Sequence, residues 1–281
     1  MTSHPTVAAA TALLDRRYPP GTAEEWDAVG LVCGRLEWSA RRVLFAVDPT
    51  PEVVAEAIGT GVNLLVTHHP LFLRGVHEVA AVSWKGRVVH DLIEHQIALF
   101  CAHTNADVAP GGVNDALALA LGLTDIAPLL MTSAGSASDD AAGLGRIGTL
   151  PAPQSLAQFA ERVRSALPAT QAGIRVAGDL SRQVERIAVC GGAGDSLLDR
   201  VHEVGAEVFV TADLRHHLAG ESMIDGGPAL VDPGHWASEW PWLPVAAQRL
   251  ADDAAVAGTT VEVAVSSLVT DPWSGHLSFE S

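Results

Sequence analysis

Apolar spacing changes period twice between Val43 and Thr67, in the stretch VLFAVDPTPEVVAEAIGTGVNLLVT. A continuous apolar run predicts a buried strand. A Pro-containing turn follows, then an amphipathic helix with Val53 and Val54 on its apolar face, a turn at Gly61, and a second strand ending at Thr67. The pattern returns at Ile187–Thr211, IAVCGGAGDSLLDRVHEVGAEVFVT, with Leu197 and Leu198 on the helix and Gly205 at the turn. The two segments align without a gap, 187 against 43 and 211 against 67, an offset of 144 residues. One such segment is a generic βαβ unit with a right-handed crossover. Two in register predict two related lobes.

The continuations also match. The first unit leads through a predicted helix near Val88–Ile97 and a strand at IALFCAHT to a predicted helix over Asn114–Gly122. The second leads through LRHHLAG and a strand at PALVDPG to a helix beginning near His235, and the chain closes with a strand at VEVAVSSLV and then TDPW. Between them, SAGSASDDAAG (133–143) is small, polar and aperiodic, which reads as a linker or exposed loop. The expected class is α/β, with two similar lobes from an internal duplication. The expected boundaries are 1–132, a linker at 133–143, and 144–281.

Composition narrows the chemistry. With 281 residues, 48% hydrophobic and 18% charged, the chain can bury one large core or two moderate ones. A net charge of −16 and the lack of Lys/Arg clusters argue against a nucleic-acid surface. Small anionic substrates stay open, because metals or helix N-termini bind them without a basic surface. Cys33, Cys101 and Cys190 form no CxxC pair and read as reduced core residues. The first residues, MTSHPTVAAATALLDRR, lack a positive n-region, and no apolar run is long enough to span a bilayer. A soluble cytoplasmic protein is expected.

Three clusters carry candidate chemistry. VTHHP puts His68 and His69 at a strand's carboxyl end, where the backbone turns and both imidazoles can enter one site. The ordinary alternative is a chance pair among 12 histidines, and a second pair stands at His216–His217. In CAHTNADVAPGGVND, an extended backbone would direct His103, Asn105 and Asp107 to one side; otherwise Asn105 and Asp107 make turn hydrogen bonds. In VDPGHWASE, Asp232 would cap a helix with Pro233 in its first position, setting His235 and Glu239 one turn apart, as a metal pair or a plain surface pair. Each cluster follows an apolar strand. His68, His69 and Asp107 from one lobe with His235 and Glu239 from the other make five nitrogen and oxygen ligands, enough for two cations if Asp107 or Glu239 bridges them. CGGAGDS, at Cys190–Ser196, is at most a weak phosphate turn, because glycines after a strand more often permit close packing.

The motifs WDAVGL, NLLVTHHPLF, AHTNADVAPGGVNDALA, VCGGAGDSLL, VFVTADLRHH and GHWASE resemble the dinuclear-metal-centre family of GTP cyclohydrolase I type 2 homologues, also called Nif-three-like proteins. The match runs from about Trp26 to the C-terminus. The resemblance implies two α/β lobes with a metal site in the cleft between them, two divalent ions per subunit, and a toroidal homohexamer. It puts the ligands at His68, His69, Asp107, His235 and Glu239, with His103 nearby. The chain looks like a short form, without the domain that many members insert where SAGSASDDAAG stands. Two small departures, TAD at Thr211–Asp213 and Thr67 in place of Ser, touch no implied ligand.

The implied function is metal-dependent hydrolysis of a small molecule, with a purine nucleotide such as GTP as the candidate and His103 as the candidate for proton transfer. The alternative is a non-catalytic metal chaperone or regulatory hexamer. Mixed imidazole and carboxylate donors suit zinc, iron, manganese, nickel or cobalt alike. Trp236 and Trp240, four apart, read mainly as packing residues.

Overall fold

Two series of strands with every residue buried organise the chain. The structure is a computed structural model describing residues 3–131 and 142–277. It divides into two units, Met1–Ala109 with Leu243–Thr270, and Pro110–Trp242 with Asp271–Ser281. The first unit contains α1 (Val7–Arg17), β1 (Gly30–Cys33), β2 (Arg42–Ala46), α2 (Pro51–Thr60), β3 (Leu64–Thr67), α3 (Trp84–Glu94), β4 (Ala98–Cys101) and α4 (Thr104–Val108). The second contains α5 (Val113–Ala120), β5 (Thr124–Met131), β6 (Gly143–Ser155), α6 (Leu156–Ala166), β7 (Arg175–Ala177), β8 (Gln183–Ala193), α7 (Leu198–Glu203), β9 (Val208–Ala212), α8 (His216–Ile224), β10 (Ala229–Asp232) and α9 (His235–Glu239). The chain then returns to the first unit through α10 (Trp242–Val256) and β11 (Glu262–Val265).

The α/β class holds, and the two units repeat one wiring. In the first sheet, ordered β1-β4-β3-β2-β11, only β1 is antiparallel to its neighbour. In the second, ordered β5-β6-β8-β9-β10-β7, the strands β8, β9 and β10 are parallel and β7 is the antiparallel edge beside β10. Each unit thus runs an antiparallel edge strand and then three parallel strands, in the same spatial order. The parallel strands β3, β4 and β9 are buried at every residue, which is why LLVT, ALFC and VFVTA read as unbroken apolar runs.

The lobe boundaries differ from those expected. A boundary at 132 puts β5 in the first lobe, yet it pairs with β6 in the second sheet; the same division puts the final strand in the second lobe, yet it pairs with β2 in the first sheet. Strand pairing is a long-range property that linear order does not disclose. The proposed linker lies outside the described residues except for Ala142 and Gly143, and Gly143 already begins β6.

Local chemistry explains the helix ends. Thr50 accepts a hydrogen bond from Val53 N and Pro51 opens α2, a favourable start because proline lacks an N–H that would have no partner there. Gly61 and Gly205 both take left-handed φ, +65° and +67°, where a side chain would be strained. In the second sheet, side chains alternate between two cores. Ile187, Val189, Val208, Val210 and Val231 face α5 and α6 through Leu117, Phe159 and Val163. Ala188, Cys190, Phe209 and Leu230 face α7 and α8 through Leu198, Val201 and Leu218. No disulfide joins the three cysteines. No helix among the described residues is long and apolar enough to cross a membrane.

Candidate metal centre

In the first unit the donors gather just beyond β3 and β4. Backbone pairing continues past β3, His68 N donating to Ala46 O and His69 N to Val47 O. The Thr67 hydroxyl then donates to His69 O at 2.8 Å and turns the chain. As a result the adjacent imidazoles lie on one side, with ring centroids 5.0 Å apart. His103 joins them, its ring 5.2 Å from that of His68 and 5.6 Å from that of His69. One ligating atom from each of the three falls within 4.8 Å of the others. Asp107 Oδ1 is 3.6 Å from His68 Nε2.

His103 and Asp107 share a side for a different reason from the extended backbone expected. The segment is helical: the His103 carbonyl accepts from Ala106 N and Asp107 N, so the two residues stand one turn apart. Asn105 takes no part in the cluster. Its Oδ1 accepts from His103 N at 2.9 Å and its Nδ2 donates to Tyr18 O at 2.7 Å, a buried clasp that fixes the start of α4.

In the second unit, His235 and Glu239 also stand one turn apart, on α9, with Nε2 and Oε1 separated by 3.0 Å. The helix starts later than the Asp-Pro signal implied, with Gly234 at its N-cap at φ +86°. Asp232 accepts from Gly234 N and pairs with Arg175, closing the turn before the helix. A Ser238 hydroxyl hydrogen bond to His235 O stiffens the helical turn, and Gly192 N donates to Ser238 Oγ. Gly192 has φ +65°, and a methyl group there would overlap Glu239 Oε1 and lie 3.0 Å from His235 Nε2. The glycines of CGGAG therefore allow close packing against this pair.

The supporting acceptors are the part that sequence reasoning missed. His68 Nδ1 is 3.0 Å from the Ala102 carbonyl, which can only accept, so the ring proton sits on Nδ1. Asp48 lies 2.7 Å from His69 Nδ1, Asp27 2.9 Å from His103 Nδ1, and Asp213 2.8 Å from His235 Nδ1. On His68, His69 and His103 the oxygen at Nδ1 takes the ring proton and leaves the Nε2 lone pair for a ligand, the arrangement that metal-binding histidines use, whereas His235 has a carboxylate at each ring nitrogen, Asp213 at Nδ1 and Glu239 at Nε2. The donor chemistry fits a divalent ion. Burial raises the pKa of Asp27, but hydrogen bonds from His103 and Thr104 outweigh it and hold the carboxyl well below the usual carboxylate range. Asp48 and Asp213 each stand just past a strand, β2 and β9, which was the available signal for them; Asp27, in WDAVGL, precedes β1 and had none. His216 and His217 lie on α8 with rings 5.4 Å apart, in no metal-capable group of three among the described residues.

Comparisons with known proteins point one way. The model of the Duf34/NIF3 (NGG1p interacting factor 3) family matches residues 5–272. A Streptomyces coelicolor protein called GTP cyclohydrolase 1 type 2 homolog is 48% identical over 98% of this chain and 95% of its own length. A Mycobacterium leprae protein of the same name is 37% identical over 93% of each chain; that alignment runs over 363 positions, more than the 281 residues here, so the relative carries additional sequence. Among solved structures, a Bacillus cereus protein related to NIF3 superposes with a TM-score of 0.88 at 27% identity, over 97% of this chain and 99% of that one.

Proposed function

Because the chain belongs to the Duf34/NIF3 family, we propose that its two histidine-carboxylate sets together hold a pair of divalent cations and that the loaded protein hydrolyses a small molecule. GTP, named in its relatives' description, is the first substrate to test. His68, His69, Asp107, His235 and Glu239 are the ligands in this reading, and His103 transfers the proton. The oxygen that holds Nδ1 of each of the four imidazoles is the observation that carries it. Each set alone has too few donors for two ions, which supports their joint use.

When bound, two divalent cations supply Lewis acidity and activate water near neutral pH. The residues of this chain do the rest. Asp27 holds His103 with Nδ1 protonated, which leaves Nε2 as the basic nitrogen for a substrate proton. Asp48 and Asp213 hold the rings of His69 and His235 at Nδ1, so neither ring has to reorient. Gly192 lets the β8 backbone press against the His235–Glu239 pair.

We also propose a homohexamer, supported by exposed Leu73, Val76, Val79, Val82 and Trp84, an apolar stretch that assembly would cover. A cytoplasmic location agrees with three cysteines outside any disulfide. The test of the activity is elemental analysis of protein purified without added metal, then incubation of the metal-loaded protein with GTP and detection of ring-opened product. Wild type should turn over and His68→Ala should not; equal turnover by both removes the hydrolase reading. Metal retained without turnover of GTP or a wider panel would favour the carrier role, in which the same donors store or hand on the ion.

A further inference from the structure

One large aromatic side chain lies against the first donor set and is turned outward. Trp26 is 58% exposed, whereas Trp236 and Trp242 are buried as packing residues. Its indole meets the His103 ring edge to face, with centroids 6.0 Å apart.

The turn that carries Trp26 is held rigidly. Asp27, whose side chain is fully buried, accepts from His103 Nδ1 at 2.9 Å, from Thr104 N at 3.1 Å, from the Thr104 hydroxyl at 2.6 Å and from Ala28 N at 2.7 Å. Asp27 N donates to Glu24 O, and Glu24 N donates to Thr104 Oγ1 at 3.0 Å. The backbone on both sides of Trp26 is therefore tied to the first turn of α4, the helix that carries Asp107. An indole carried on a fixed turn and left in water exposes apolar surface that a ligand's apolar face would cover. The same turn bears two exposed carboxylates, Glu24 and Glu25. Their field repels a phosphate and favours a ring with N–H donors.

From this we infer that Trp26 is the stacking platform for a bicyclic heteroaromatic ring of the purine class, seated beside His103 while the charged part of the substrate points away from the turn. The inference rests on the hydrolase reading above and specifies its substrate. An indole face stacks on any such ring, so it sets ring recognition and leaves the identity of the ring to other contacts.

The experiment compares GTP with inorganic tripolyphosphate, which keeps the charge and lacks the ring, on the full metal-loaded chain. Binding is measured by calorimetry for wild type, Trp26→Ala and Trp26→Phe, with metal content determined on the same samples. We expect Trp26→Ala to bind GTP about tenfold more weakly, Trp26→Phe to recover most of the loss, and both to match wild type in tripolyphosphate affinity and metal content. GTP affinity unchanged in Trp26→Ala overturns the inference, and so does an equal loss for GTP and tripolyphosphate. Wild type binding GTP no better than tripolyphosphate also overturns it. The metal reading fails separately, if wild type retains no metal.

Discussion

Replacing Gly192 with alanine separates two effects that one glycine combines. The first is backbone strain: φ is +65°, and an L side chain in that region costs about 1–2 kcal/mol. The second is contact, since the new methyl group overlaps Glu239 Oε1 and crowds His235 Nε2 at 3.0 Å, so the 3.0 Å spacing of the pair must open. Gly205 provides the control. It has φ +67° and nothing within 4 Å of an added methyl group, so Gly205→Ala carries the strain without the contact. Strain alone should lower the melting temperature of Gly205→Ala by about 2–8 °C, from about 2–4 °C per kcal/mol for a chain of this size, and Gly192→Ala should lose at least as much. Only Gly192→Ala should weaken divalent-metal binding, by about 10–100-fold, the range seen when groups supporting a metal ligand are disturbed. Melting curves and titration against a chelating dye measure the two effects. Equal metal affinity in the two variants would refute the reasoning.

Three further outcomes follow from other contacts. Asp213→Asn should weaken metal binding by about 10–100-fold, less than His235→Ala does, because it loosens the hold on the His235 ring and keeps the ligand; chelator competition ranks the two. Arg146→Met should lower stability by about 3–5 kcal/mol, read from the urea midpoint, since the buried guanidinium binds both Asp115 oxygens and the carbonyls of Gly143 and Gly145. Asp253→Asn should cost about 0.5–1 kcal/mol at neutral pH, discounted because the Arg17 side chain is half exposed. The hydrogen bond from Arg17 lowers the Asp253 pKa, so the pair's contribution is complete above the unfolded carboxylate value, about 4, and disappears as pH falls through the folded one. The stability gap between wild type and Asp253→Asn should therefore close in acid.

The βαβ segments were legible because their buried strands and glycine caps leave a local signature, as in Val43–Thr67 and at Gly61 and Gly205. His68 with His69, and His235 with Glu239, were legible as pairs because one turn of backbone brings each together. What stayed hidden depends on distant residues. Neither the pairing of β11 with β2 nor the reach of Asp27 to His103, 76 positions away, has a local correlate. At Thr104–Val108 a helix replaced the extended geometry expected, since a five-residue helix is too short to display periodicity. The Asp232-Pro233 signal misplaced the start of α9 because Asp232 forms its turn with Gly234 and Arg175.

The central claim, that both donor sets serve one pair of cations, is tested most directly by anomalous diffraction from crystals grown with manganese. The account predicts two peaks about 3.5–4 Å apart, contacted between them by His68, His69, Asp107, His235 and Glu239. Peaks that touch only one of the two sets, or none at these residues, would contradict it.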